Sequence, residues 1–179
     1  MRDSRTIEKR REAFRLSNDL LHDLISGSST YIVFQALVDQ NPGSVPDDVR
    51  AAATRMCLFH VILTLAKWTE FHQRYRDVIP EAASFPAKEL AKDIVARGIV
   101  DFRNKVVGHV WDKERMRAVT TAEVETRLNS FVGGGAAAFL GWAGNPLAAG
   151  DANRPPLVIE AVRDAIQSAY GLTDADLNP

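Results

Sequence analysis

The segment VRAAATRMCLFHVILTLAKWTEFHQRY, residues 49 to 75, limits this chain more than any other feature. Wound as a helix at about 100° per residue, it is apolar on most of its faces between Met56 and Leu65. A helix apolar on most faces cannot lie on a surface. It needs other helices around it, which makes it the central helix of a bundle. Its start is set by Pro46 with Asp47 and Asp48 in the first turn, where carboxylates suit the helix dipole. Its end is set by the approach to Pro80.

The flanking sequence has the same helical character. Ile7, Phe14, Leu21, Leu24 and Ile25 recur at helical spacing over residues 4 to 26, and Gly27 reads as a C-terminal stop. STYIVFQALVDQ (29 to 40) is β-branched at its start, but its neighbours favour helix, and NPGSVP is a loop. A third helix is expected from about Ala87. TTAE (120 to 123) has capping-box spacing, opening a helix that the triple glycine closes. PPLVIEAVRDAIQSAYG gives a last helix with proline at its start and Gly171 at its end. No alternating strand pattern and no long repeat occurs. The expected fold is all-α, one helical-bundle domain over residues 1–179, with an elaborated C-terminal third.

A chain of 179 residues with 46% hydrophobic and 25% charged side chains can bury a core of its own. The net charge of −1 argues against a globally basic nucleic-acid binder, while leaving local patches open. Cys57 has no partner for an intrachain disulfide. The N-terminus has charges but no apolar signal region, so the expected location is cytoplasmic. Between Arg127 and Asp151 there is no charged side chain, and six of the 11 glycines lie there. Glycine, alanine and asparagine give little transfer energy, so this Gly/Ala-rich insert, about 133–150, is read as a loop with a short packed helix and not as a membrane span.

The polar chemistry concentrates in VDFRNKVVGHVWDKE, residues 100 to 114. On one straight helix, Val95, Ile99, Phe102 and Val110 fall within about 40° of Val106 and form the buried stripe. Arg103 and His109 then stand on its two borders, Lys105 lies four residues before His109, and Asn104 points away. Arg55–His60 and Arg15–His22 satisfy a similar spacing, but Met56 and Leu16 follow those arginines where Arg103 is followed by an amide.

The Arg103-Asn104-x4-His109 pattern resembles the signature of the HEPN superfamily, small helical bundles, and its flanks look most like the abortive-infection branch. That resemblance implies a four-helix core with additional C-terminal helices. It also implies a metal-independent endoribonuclease without cofactor, a toxin or phage-defence effector whose two motifs meet across a homodimer. Arg103 and His109 would be catalytic, with Asn104 and Lys105 supporting them. A protein antitoxin is a further expected partner. The family also holds non-catalytic nucleotide- or protein-binding modules, and that alternative stays open.

The chemistry suits the residue types. Cleavage by the substrate's own 2′-hydroxyl requires a base, an acid for the departing 5′-oxygen, and positive charge on the phosphate. Histidine can serve as either near neutral pH, and arginine offers a fixed fork of donors. Arg97, Lys113, Arg115 and Arg117 give the surrounding segment a local basic excess suited to RNA. Their plainer reading is a solvated face. For Arg103 and His109 it is a bridge to nearby carboxylates and a satisfied helix end. His60 and His72, three turns apart, are too distant to share a metal, and each reads as a core or surface histidine.

Overall fold

The first helix, α1 (Arg2–Gln40), runs for 39 residues without a break. It passes through Gly27, where the sequence suggests a stop. The reason lies on a neighbouring helix. A Cβ placed on Gly27 would stand 2.7 Å from His60 Cδ2 and 2.9 Å from Val61 Cγ2. Gly27 therefore marks a crossing point and not a helix end. Beside it, Ser28 is fully buried.

The second helix, α2 (Asp47–Tyr75), has the bounds its sequence implies, with Asp47 and Asp48 in its first turn. Val61, Ile62, Leu65 and Trp68 are completely buried. Length and hydropathy alone would let α2 cross a membrane, but its apolar C-terminal half is occupied by the other helices. His60 Nε2 sits 2.9 Å from the Asp23 carbonyl oxygen. That oxygen can only accept, so Nε2 carries the proton and ties α2 to α1.

The computed structural model describes residues 2–107, 111–112, 117–118, 123, 126, 130–131, 135–144 and 154–177. The third helix, α3 (Glu81–Ala96), begins well before Ala87 and takes Pro86 into its body. Pro86 forfeits one hydrogen bond to the Ala82 carbonyl. The stripe Ala83, Ala87, Leu90 and Ile94 offsets that loss by burial. Gly98 then adopts a left-handed conformation, φ 75°, and ends the helix. The chain continues as a single turn, α4 (Ile99–Phe102), followed by a π-helical turn over Arg103–Val107. The continuous helix expected through Val95 and Val106 is thus broken. Ile99 and Phe102 are buried as the stripe requires, whereas Val95 is 58% exposed.

Trp111–Asp112 and Arg117–Ala118 form a two-residue antiparallel pair. Glu123, Thr126, Ser130 and Phe131 are helical, and the remainder of the expected TTAE cap lies outside the described residues. Within the Gly/Ala-rich insert, α5 (Gly135–Gly144) buries Phe139, Leu140, Ala143 and Gly144. It packs on α1 and α2, and Gly144 presses against Ser28. The last helix, α6 (Pro155–Tyr170), has proline at its start and Gly171 in the left-handed region at its end, as its sequence implies.

Four helices close a ring: α1 packs on α2 and α6, and α3 packs on the same two. The fold is an all-α bundle with one continuous core. The C-terminal helix α6 is one wall of that ring, and α5 packs on it from the C-terminal third.

Candidate functional site

The Arg103 segment is held by one aromatic anchor. Phe102 is buried, tilted against Phe59 of α2 and edge-on to Phe131 at 5.2 Å between ring centres. Arg103 follows at the start of the π-helical turn. Such turns lose the regular hydrogen-bond ladder and are frequent at functional sites.

The Arg103 Nη2 donates to Glu70 Oε1 at 2.6 Å. The arginine side chain is 28% exposed, the glutamate 59%. Arg103 Nε is buried and has no hydrogen-bond partner. A carboxylate on the rigid helix α2 thus fixes the guanidinium while part of its donor fork is left unused. Glu70 is a site residue that sequence reasoning missed. It lies 33 positions away, in a helix whose pattern speaks only of packing.

Asn104 is exposed, and Lys105 Nζ lies 3.3 Å from Asp101 Oδ1, one turn earlier. Arg97 is drawn into the fold. Its Nε donates to Asp93 at 2.9 Å, its Nη1 to the Phe131 carbonyl at 2.9 Å, and its guanidinium stacks 4.3 Å from the Trp142 ring. Those partners leave it little capacity for phosphate and make it a clamp between α3 and α5. His109, Lys113 and Arg115 lie outside the described residues, and of Arg117 only the backbone pairing with Asp112 is described.

A groove of about 530 Å³ runs between α2 and α3. Ala91, Val95 and Val100 give it apolar walls, and His72, Lys88 and Lys92 its polar ones. Burial holds His72 below the ordinary histidine value, and the positive charges of Arg76 and Lys88 lower it further. Lys92 is paired with Glu89 at 2.7 Å. Gln73 of this groove is one turn from Glu70, and Val100 one turn from Arg103, so the groove adjoins the Arg103–Glu70 pair. His72 is therefore neither a core histidine nor a free surface one. Of the basic groups around it, Arg76 is one turn on at the end of α2, while Lys88 and Lys92 come from α3, too far along the chain to be paired with it by spacing. Among the described residues no three histidine, cysteine or acidic side chains cluster as metal ligands would.

No family model matches the chain, and no curated protein matches it. Among solved structures, an integron cassette protein, Vpc_cass2, from the mobile metagenome of V. paracholerae is similar over 89% of this chain and 96% of its own. The TM-score is 0.71 and the identity 24%. That likeness establishes a shared fold.

Proposed function

We propose that this chain is a metal-independent endoribonuclease of HEPN type, acting in the cytoplasm as a homodimeric toxin or phage-defence effector. The observation that carries the reading is the setting of Arg103. It is half-buried on a π-helical turn, aimed by Glu70, and retains a buried Nε–H without a partner. A fixed guanidinium with unused donors fits a phosphate better than a merely structural bridge does.

In this reaction a 2′-hydroxyl of RNA loses its proton to a histidine and attacks the adjacent phosphorus. The P–O5′ bond breaks, and the departing 5′-oxygen takes a proton from an acid. The products are a 2′,3′-cyclic phosphate and a 5′-hydroxyl. Arg103 would hold the charge on the crowded phosphate. His109 would move the proton, and its two-fold copy would provide the second acid–base group. Asn104 would orient or polarise the groups beside it, and Lys105 would add a phosphate contact.

The alternative, a non-catalytic nucleotide- or protein-binding module, draws on one fact: the charge of Arg103 is already met by Glu70. The two separate in one experiment. The purified chain is incubated with RNA in EDTA and the products are checked for 2′,3′-cyclic phosphate ends. Cleavage lost in both Arg103→Ala and His109→Ala supports the nuclease. Intact RNA with the wild-type chain overturns it.

A further inference from the structure

The distal ends of α1 and α2, joined by the turn at 41–46, form an arm that departs from the composition of a wet surface. Among residues 29 to 56 only Val38 is buried. Yet α1 carries no charged side chain from Leu24 to Val38. Five of the ten exposed large apolar side chains of the described residues lie here: Ile32, Val33, Leu37, Val49 and Met56, each 49% to 73% exposed. Their exposed surface adds up to on the order of 500 Å², at the upper end of the apolar patches that monomers show.

The pattern is also ordered. Val49, Ala52, Met56, Phe59 and Leu63 follow a three–four spacing on α2, which is the seam of a coiled coil. Four of them, Val49, Ala52, Met56 and Leu63, are exposed, so α1 does not cover this seam. Two helices with an uncovered seam are half of a four-helix bundle.

We infer that the arm docks against the same arm of a second copy of this chain, forming an intermolecular four-helix bundle. A two-fold contact must be self-complementary, and a charge-poor apolar face meets that condition. The few charges agree with an antiparallel arrangement. Asp39, Asp47 and Asp48 stand towards the tip, where Arg50 pairs with Asp47, and Arg55 stands nearer the base, so each tip brings two further carboxylates to the other arm's arginine. The apolar patch already supplies most of the roughly 800 Å² that one subunit gives to a standard interface.

The base of the seam reaches the Arg103 segment, since Phe59 packs on Phe102, but the arm itself stands away from the Arg103–Glu70 pair. Met56 and Glu70 are 14 residues apart on α2, about 21 Å along its axis. The arm contact uses none of the residues assigned to the reaction, so substitutions in it test the contact without touching Arg103.

The test uses the full chain, with mass measured by light scattering during gel filtration from about 1 to about 100 µM. The expected result is a wild-type dimer. Leu37→Glu and Met56→Glu, both at exposed positions, raise its dissociation constant on the order of 100-fold or more and keep the helical circular dichroism. Phe85→Glu, an exposed apolar site outside the arm, leaves the dimer intact. A wild-type monomer across the range overturns the inference, and so does a monomer that floats with anionic phospholipid vesicles. A dimer that survives both arm changes and dissociates on Arg103→Glu overturns it too, and would leave the shared-cleft reading standing.

Discussion

Gly27 on α1 faces His60 on α2 at a separation that admits no side chain, with His60 Cδ2 2.7 Å from where a Cβ would sit. In an open helix, alanine in place of glycine would gain about 1 kcal/mol. Here Gly27→Ala has to push His60 and Val61 aside, and a net loss of about 1–2 kcal/mol is expected. The melting temperature should fall by a few degrees. A rise on thermal unfolding would mean that the crossing has slack.

Glu70→Gln separates the aim of Arg103 from its charge. The pair is partly exposed, so folding stability should change by about 1 kcal/mol or less. With the carboxylate gone, the cation is no longer compensated. RNA binding should tighten, and the slope of log affinity against log salt should steepen by about 0.7 for a single strand. Fluorescence anisotropy across a salt series measures this. An unchanged slope would remove Arg103 from the RNA contact.

His72 gives a pH signature. Because its folded-state value lies below 6.5, the unfolded chain binds the proton more readily. Stability should be constant above that range, fall as pH drops through 6.5, and level off once the folded-state value is passed. Lys88→Ala removes one of the smaller causes and leaves burial, so the His72 ring resonances should titrate higher but still below 6.5. A titration curve that does not move would place Lys88 outside the reach of His72.

Phe102→Ala should cost about 3–5 kcal/mol, since the ring fills the space between Phe59 and Phe131. Hydrogen exchange at the amides of 103–107 should speed up by more than that at α6. Uniform acceleration would show that the ring stabilises the whole bundle without particular effect on the Arg103 turn.

These sites show what the sequence could convey. The apolar run from Met56 to Leu65 made α2 central, and burial at Val61, Ile62 and Leu65 follows from it. Pro155 and Gly171 bounded the last helix because caps are local chemistry. Gly27 and Gly98 look alike in sequence, and their roles are opposite. One lets α2 approach and the helix continue; the other turns left-handed and ends it. Apolar periodicity runs straight across Gly98, so the break was hidden, and with it the π-helical turn that sets Arg103. Glu70 and the lysines around His72 act across helices, and no spacing within one segment encodes them.

The turn at Gly98 has a practical corollary. Because the chain leaves α3 there and is caught again at Phe102 and at the Arg103–Glu70 pair, the Arg103 turn has a swivel behind it and two fastenings of its own. Its direction is therefore set by α2 and not by the axis of α3. A change of residue at the swivel would re-aim the guanidinium while the four walls keep their own contacts.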